Sequence, residues 1–336
     1  MIVLVTGASG FLGRAVAAEL VAAGHEVRTL QRRPSRVAGV TDVLGSITDP
    51  ARVALAIAGD SSGSAEAVVH LAAKVSLARD PDDFRRVNVE GTRTMLDAAE
   101  QAGVSRFVQV SSPSVAHTGS SLAGVGAEPA SPEHARGDYA RTKAEAELLA
   151  LARDSAAMRV LAVRPHIVWG PGDTQLIERI VERARRGRVP LLSGGRALID
   201  TTYVDNAASA IVAALHRADA AHGKAYVVTN GEPRPVADLL AGICLAAGVR
   251  PPHLSVPAAL GRAAGSLVER IWALPGVAAR AGGDEPPMTR FLAEQLSTAH
   301  WFDQRETRAA LDWAPTVSID EGLRRLAAHY TPPSAR

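Results

Sequence analysis

The N-terminus of the chain holds its most constraining feature. An apolar run from Ile2 to Val5 is followed by Gly7, Gly10 and Gly13, and then by a helical pattern. A buried strand that turns on glycines into a helix forms a seat for phosphate, because glycine lets the backbone approach the ligand closely. A tight turn without a ligand can share this spacing, but the order strand, glycines, helix predicts a dinucleotide-binding segment.

Short apolar runs alternate with helical patterns through the first half of the chain. The predicted strands are Ile2–Val5, Glu26–Leu30, Asp42–Leu44, Ala67–Leu71, Arg106–Val110 and Arg159–Val163, and the predicted helices lie near 11–23, 49–58, 82–102 and 138–154. This alternation predicts an α/β protein with a doubly wound parallel Rossmann sheet and helices on both faces. Ligands of such sheets bind beyond the carboxyl ends of the strands.

Helical patterns dominate after Arg164-Pro165. They fall near 174–187, 204–217, 235–247, 258–273, 287–297, 303–311 and 319–329, with Ala225–Val228 as the only clear strand. We therefore expect a dinucleotide-binding Rossmann domain over 1–165 and a smaller, mainly helical substrate domain over 166–330, which can exchange segments with the first. The amphipathic stretch 256–280 packs on its own domain, forms a lid, or lies on a lipid surface.

Composition excludes several kinds of partner. The 336 residues are 47% hydrophobic and 21% charged, with a net charge of +2, which is ordinary for a globular protein. No basic stripe with interleaved aromatic residues is present, so we expect no nucleic acid. We also expect no transmembrane segment, no signal peptide, no metal site and a cytoplasmic location. Cys244 is the only cysteine and fits a small buried hydrophobic residue.

Tyr139 and Lys143 lie four residues apart in a predicted helix. This spacing puts the phenol and the ammonium on one face of the helix, one turn apart. An ammonium nearby lowers the pKa of a tyrosine, so that the phenol can exchange a proton with an alcohol or a ketone. A solvated helix pair is the alternative.

Ser111 and Ser112 follow a predicted strand, where they can hold a carbonyl oxygen or cap the strand end.

Six motifs together carry a family resemblance. They are Gly7-x-x-Gly10-x-x-Gly13, His70-Leu-Ala-Ala73, Asn88-Val-Glu-Gly91-Thr92, Val110-Ser-Ser112, Tyr139-x-x-x-Lys143 and Arg164-Pro165. In this order the chain resembles the extended short-chain dehydrogenases/reductases over nearly its whole length. It looks most like the 3β-hydroxysteroid dehydrogenase branch, and there like the reductases of 2-alkyl-3-oxoalkanoic acids in bacterial long-chain olefin biosynthesis. This closer likeness rests on the stretches 164–173, 200–206, 284–291 and 296–303.

The resemblance implies a role for each motif residue. Tyr139 would be the general acid in ketone reduction, and Lys143 would bind the nicotinamide ribose and tune Tyr139. Ser112 would bind the substrate oxygen. Asn88 would hold a water that relays protons, or would bind backbone inside a helix. The implied cofactor-binding residues are Gly7, Ser9, Gly10, Phe11, Leu12, Gly13, Arg32, Arg33, Ile47, Leu71, Ala72, Ala73, Val110, Ser111, Tyr139, Lys143, Pro165, His166 and Val168.

The substrate residues form a second set. They are Lys74, Ser112, His117, Trp169 and Tyr203. A long apolar substrate needs an apolar pocket with one cation or hydrogen-bond donor for its polar end. Lys74, His117 and His166 are the candidates for that polar end, although each of them taken singly fits a structural or cofactor-facing position.

The end of the second predicted strand favours NADP(H) over NAD(H). An NAD site usually carries an acidic residue about 20 residues after the glycines, which binds the ribose 2′-hydroxyl. Here Gln31 is followed by Arg32 and Arg33, and arginine binds phosphate bidentately. A solvated pair of loop arginines is the alternative. The acidic residue that the family carries near the adenine is replaced by Gly45-Ser46-Ile47.

The leading hypothesis is an NADPH-dependent reductase that converts a long-chain 2-alkyl-3-oxoalkanoic acid to the 3-hydroxy acid. A hydroxysteroid dehydrogenase would share every catalytic residue. A nucleotide-sugar epimerase or dehydratase would need basic residues such as Arg185, Arg186 and Arg188 for a diphosphate. A redox-sensing binding protein would typically lose the tyrosine or the lysine. Alanine-rich faces on helices 82–102 and 138–154 predict a homodimer, and assembly with other pathway enzymes is left open.

Overall fold

A seven-stranded parallel sheet organises the molecule. The computed structural model describes residues 1–59, 63–75, 81–117, 121–272, 294 and 296–331. The sheet has the order β12-β7-β5-β4-β1-β2-β3, and every pairing in it is parallel. Its strands are β1 Ile2–Thr6, β2 Glu26–Gln31, β3 Val40–Leu44, β4 Ala67–His70, β5 Arg106–Val110, β7 Arg159–Pro165 and β12 Ala225–Val228. The predicted doubly wound Rossmann sheet is confirmed.

The described residues form twelve α-helices, and several of them cover the two faces of this sheet. They are α1 Phe11–Ala22, α2 Pro50–Ala58, α3 Pro81–Phe84, α4 Gly91–Gln101, α5 Gly137–Leu151, α6 Ile177–Arg185, α7 Val204–His216, α8 Ala218–Ala221, α9 Val236–Ala246, α10 Ala258–Trp272, α11 Arg305–Leu311 and α12 Ile319–Tyr330. Apolar side chains of α1, α7 and α8 form the core on one face, and those of α2, α4 and α5 form it on the other. The helix expected over 82–102 contains a π-helical segment, Arg85–Glu90, between α3 and α4.

Short strands outside the main sheet are the largest departure from the sequence analysis. They are β6 Leu122–Val125, β8 Val168–Trp169, β9 Leu191–Leu192, β10 Leu198–Ile199, β11 Thr202–Tyr203, β13 Arg234–Pro235, β14 Ser255–Val256 and β15 His300–Phe302. Four of them form a sheet in the order β13-β10-β15-β6, and the others form two pairs. The expectation of a single strand after residue 165 was wrong, because segments of two or three residues carry no readable period.

The second half of the chain also completes the Rossmann sheet. Strand β12 pairs with β7, and α7 packs against α1 in the core beneath the sheet. The chain after residue 165 therefore contributes to both parts of the molecule, and the division into two domains at that residue stays a prediction.

Helix α10 presents an exposed apolar face. Leu260, Leu267 and Ile271 are 61%, 58% and 44% exposed, whereas Gly261 packs against Leu192. The rest of the stretch 256–280 lies outside the described residues, as do the motif 284–291 and most of the helix expected over 287–297. Among the residues that the structure describes, no helix is long and apolar enough to cross a membrane.

The glycine turn after β1 is fixed by close backbone contacts. Gly7 has a φ of +79°, and the Gly7 N–H donates to the carbonyl of Leu30. A Cβ atom on Gly13 would lie 2.3 Å from the carbonyl oxygen of Gly7, and one on Gly7 would lie 3.0 Å from the backbone of Ala72. Neither contact can be relieved by a side-chain rotation, so both positions require glycine.

Substitution of Gly13 tests this packing. We expect Gly13→Ala to lower the free energy of unfolding by about 1–3 kcal/mol, since a backbone oxygen must move to admit the methyl group. The matched control is Gly126→Ala, because a Cβ there meets no atom within 4 Å. Urea unfolding measures both. Equal stabilities of the two variants would contradict the close contact.

Candidate active site

The predicted binding residues meet at one edge of the sheet. Strands β1, β4 and β5 are neighbours and parallel, so the segments that follow them leave the sheet on the same side. These segments hold Gly7–Gly13, Leu71–Ala73 and Ser111–Ser112. Ser9 and Gly10 precede α1, Phe11, Leu12 and Gly13 lie in its first turn, Pro165 ends β7, His166 follows it, and Val168 begins β8.

A chain of buried hydrogen bonds holds this edge together. The N–H of Ala72 donates to Thr6 Oγ1 (3.0 Å), and Thr6 Oγ1 lies 2.7 Å from His70 Nδ1. On the other side of the ring, His70 Nε2 lies 3.1 Å from Thr92 Oγ1, which donates to the carbonyl of Asn88 (2.7 Å). Because the Thr92 proton is used there, His70 donates from Nε2 and accepts at Nδ1. Burial lowers the pKa of His70 to about 3, so the ring is neutral.

Lys143 ties helix α5 to the end of β5. The Lys143 side chain is buried, and its Nζ donates to the carbonyl oxygen of Val110 at 2.6 Å. Burial lowers the pKa of Lys143 to about 8, and the charge of Glu147 opposes that shift. The lysine predicted for the nicotinamide ribose therefore stands at the carboxyl end of a central strand.

Ser112 and Tyr139 meet beside Lys143. Ser112 Oγ accepts hydrogen bonds from the Ser114 N–H (3.3 Å) and the Ser114 hydroxyl (2.9 Å), which leaves the Ser112 proton free to be donated elsewhere. The Ser112 hydroxyl bonds the Tyr139 phenol, and burial outweighs this bond and raises the pKa of Tyr139 above its usual value. Burial disfavours the phenolate, and the role of Lys143 in tuning Tyr139 stays a prediction.

Asn88 binds backbone and a neighbouring helix. Its Oδ1 accepts the Lys74 N–H (2.7 Å), and its Nδ2 donates to the Lys74 carbonyl (3.2 Å) and to Thr142 Oγ1 (3.0 Å). The residue lies in the π-helical segment, and such segments often occur at functional sites. This geometry matches the backbone-binding interpretation, and the proposed water relay stays a prediction.

Lys74, one candidate for the polar end of the pocket, is already paired. Its Nζ contacts the Asp83 carboxylate and lies 5.5 Å from the centre of the Phe84 ring. The described contacts of the Lys74 side chain are thus with α3.

Two of the other candidates lie in a histidine cluster. The rings of His117 and His300 are 4.7 Å apart, and those of His166 and His300 are 6.5 Å apart. All three side chains are buried. Burial lowers the pKa of His117, and it lowers the pKa of His166 to about 3. Sequence reasoning did not name His300 as a site residue, because it lies more than 130 residues from the other two. The signal that could have found it is its place in the stretch 296–303, which carries the closer likeness.

Trp169 and Tyr203 pack together away from these groups. Their rings are 5.5 Å apart and nearly perpendicular, and both side chains are 2% exposed. A Cβ on Gly322 of α12 would lie 2.7 Å from the Tyr203 ring. Trp169 Nε1 also donates to Thr201 Oγ1 at 3.0 Å, and none of the described contacts of the two rings is with Tyr139 or Lys143. Their predicted contact with substrate therefore stays a prediction.

The residues after β2 offer two free cations. Arg32 and Arg33 are exposed, and within the described residues neither makes an ion pair or a hydrogen bond. The amide nitrogen of Gln31 is already hydrogen-bonded inside the protein, since Nε2 donates to Thr29 Oγ1 and Asp42 Oδ1, both at 2.8 Å. Asp42 in turn accepts hydrogen bonds from Thr29, Gln31 and the backbone N–H of Ser35. Ile47 is buried against Gly91.

The glycine turn fits a dinucleotide. Gly10 is the N-cap of α1 and provides no side-chain cap, so the first N–H groups of the helix stay available to a phosphate. The positions of Gly7 and Gly13 leave no space for a side chain, which keeps the backbone close to the ligand.

Comparison with known proteins agrees with this geometry. A sequence profile of the NAD dependent epimerase/dehydratase family matches residues 3–229. The chain is 40% identical to the 2-alkyl-3-oxoalkanoate reductase of Stenotrophomonas maltophilia, over 98% of this chain and 99% of that one. It is 31% identical to a 3-beta-hydroxysteroid dehydrogenase of Mycolicibacterium neoaurum, over 98% and 91%. A short-chain dehydrogenase/reductase of Agrobacterium tumefaciens, solved with bound NAD, superposes with a TM-score of 0.73 at 25% identity, over 98% and 97%.

The chain therefore belongs to the NAD dependent epimerase/dehydratase family, the extended short-chain dehydrogenases/reductases. It is an NAD(P)-dependent oxidoreductase that acts on CH–OH and C=O groups.

The buried neutral histidines predict an acid-sensitive fold. Both His70 and His166 have a pKa of about 3, below the usual 6.5, so the folded protein binds fewer protons than the unfolded chain. The stability that they contribute is present above pH 6.5 and is lost as the pH falls. Between pH 7.5 and 5.5 we expect a loss of about 1.4 kcal/mol per histidine.

Urea unfolding at the two pH values measures this loss. Asp200, whose pKa burial raises to about 6, acts in the opposite direction, so the comparison of variants is decisive. His166→Gln should lose about 1.4 kcal/mol less than the wild type over this range, while exposed His253→Gln should match the wild type. An unchanged pH dependence in His166→Gln would refute the buried neutral state.

Proposed function

We propose that this enzyme reduces the 3-keto group of a long-chain 2-alkyl-3-oxoalkanoic acid to the 3-hydroxy acid, with NADPH as the reductant. The observation that carries the proposal is the meeting of Tyr139, Ser112 and Lys143 at the end of β5, in a chain that is 40% identical over nearly its whole length to a reductase of this kind. The proposed place of action is the cytoplasm.

The protonation of the site supports reduction. Burial raises the pKa of Tyr139, so the phenol holds its proton at neutral pH, and this is the form that gives a proton to a developing alkoxide. The Ser112 hydroxyl, which bonds the Tyr139 phenol, would bind the same carbonyl oxygen. When bound, the dihydronicotinamide supplies the hydride that no side chain can provide.

The remaining residues would hold the cofactor. The turn Gly7–Gly13 and the start of α1 would bind the pyrophosphate, and the segment Leu71–Ala73 would lie beside it. The Lys143 ammonium would bind the nicotinamide ribose from its place at the end of β5. Arg32 and Arg33 would bind the 2′-phosphate that distinguishes NADPH from NADH.

The apolar substrate is favoured over a nucleotide sugar. Arg185, Arg186 and Arg188 are exposed at the end of α6, and Arg186 pairs with Glu182 (2.6 Å), as expected of a solvated helix end. A hydroxysteroid dehydrogenase is the second candidate, supported by the relative at 31% identity.

A homodimer through α4 and α5 is part of the proposal. These helices pack side by side, with Arg153 of the loop after α5 bridging to Asp97 of α4.

The catalytic assignment is tested with Tyr139→Phe. We expect kcat to fall by about 10²–10⁴, because the variant keeps the ring and loses the proton donor. The control is Tyr330→Phe, which changes a tyrosine at the end of α12 and should keep full turnover. The assay follows NADPH oxidation with a 2-alkyl-3-oxo acid, and NADP⁺ reduction with the hydroxy acid and a 3β-hydroxysteroid. Conversion of a UDP-sugar is followed by product analysis, because epimerisation and dehydration cause no net reduction of NADP⁺. Turnover of the UDP-sugar alone would overturn the proposed substrate, and full activity of Tyr139→Phe would overturn the mechanism.

The cofactor preference is tested with Arg32→Gln and Arg33→Gln. A charge-assisted hydrogen bond to phosphate contributes about 1.5–3 kcal/mol, so each change should lower kcat/KM for NADPH about 10- to 150-fold and leave that for NADH nearly unchanged. Arg250→Gln, at a distant loop, is the control. A wild-type enzyme that prefers NADH would contradict the assignment of both arginines.

A further inference from the structure

A buried ion pair lies one helical turn beyond Lys143. Glu147 follows Lys143 by four residues on α5, so the two side chains share one face. Arg164 of β7 donates to Glu147 twice, from Nε to Oε2 at 2.9 Å and from Nη2 to Oε1 at 2.5 Å. The side chains of Arg164 and Glu147 are 2% and 1% exposed.

The guanidinium of Arg164 is fixed on its far side as well. Its Nη1 donates to the carbonyl of Glu128 at 2.6 Å, so three separate bonds hold one group. A fully buried pair of this kind adds little to stability compared with apolar residues of similar volume, because desolvation of two charges offsets their attraction. Its presence therefore calls for a role other than stability.

Lys143 is the neighbouring group whose charge this ion pair can influence. The Lys143 amine is buried and makes one hydrogen bond to a neutral acceptor, the carbonyl of Val110, so burial disfavours its charge. The titratable and charged groups around it are Tyr139 and Glu147 on its own helix, neutral His70 on β4, and Arg164 on β7. Only Glu147 among them brings a negative charge.

We propose that Glu147, locked in place by Arg164, is a positioning residue that keeps the Lys143 side chain charged inside the protein. Arg164 fixes the position of the Glu147 carboxylate by two hydrogen bonds. Neither residue touches substrate in this account. The consequence for catalysis rests on the role of Lys143 in the proposed function, whereas the charge state of Lys143 can be read without any turnover.

The chain offers a clean measurement, because it has only three lysines, Lys74, Lys143 and Lys224. Protein labelled with ¹³C at lysine Cε gives three NMR signals, assigned with Lys74→Arg and Lys224→Arg. We expect the Lys143 signal of the wild type to titrate near pH 8. In Glu147→Gln its midpoint should fall by about one pH unit or more, a tenfold or greater rise in the proton dissociation constant.

Two further variants separate charge from packing. Glu147→Gln/Arg164→Gln removes both charges and leaves two amides that can bond each other, so it keeps the test open if the single variant does not fold. In this double variant the Lys143 midpoint should also move to lower pH. Glu145→Gln is the matched control: it removes an acid two residues away that pairs with Arg85 at 2.9 Å, and it should leave the Lys143 midpoint unchanged.

Enzyme kinetics gives the second readout. The alkaline limb of the kcat–pH profile should move to lower pH with the Lys143 midpoint, while kcat near pH 6 stays close to the wild-type value. A purely structural role would lower kcat at every pH and leave the limb in place. A Lys143 midpoint that stays at its wild-type value in a folded Glu147 variant would overturn the inference. Full activity of Tyr139→Phe would instead overturn the proposed function and leave the NMR result standing.

Discussion

The hydrogen bond from the Lys143 ammonium to the carbonyl of Val110 is the contact on which the site depends. It fixes helix α5 against the end of β5 by a charged donor inside the protein, where such bonds are strong. Tyr139 lies one turn before Lys143, and Ser112 lies two residues after Val110. Once the helix and the strand are joined at this point, the phenol and the serine hydroxyl have to meet.

Burial has opposite effects on the two ionisable groups of this contact. It raises the pKa of Tyr139 and lowers that of Lys143, because both charged forms lose their hydration. The result at neutral pH is a protonated phenol beside an amine that is close to losing its charge. A second buried charge, that of Glu147, opposes that loss. Arg164 pairs with Glu147, and this attraction offsets the cost of burying the carboxylate. The chemistry thus depends on charges that lie beyond the reacting groups themselves.

Much of the fold was readable from the sequence, and the reasons are specific. Strand β1 begins with four apolar residues in a row, and helix α2 begins at Pro50 with Asp49 as its cap, so both elements carry a local signal. Strands of two residues, such as β8 and β10, carry none, because their pairing is decided by neighbours far along the chain. The π-helical turn around Asn88 was equally invisible in a pattern that reads as continuous helix.

The sequence by itself determined the glycine turn and the shared face of Tyr139 and Lys143, because backbone geometry sets both over fewer than eight residues. Only the tertiary structure decided that Lys74 would pair with Asp83, that His117 would pack edge to face against His300, and that Glu147 would pair with Arg164. It also decided the direction of each pKa shift. These outcomes depend on how deeply a group is buried and which distant segment is packed against it, and no local spacing encodes either quantity.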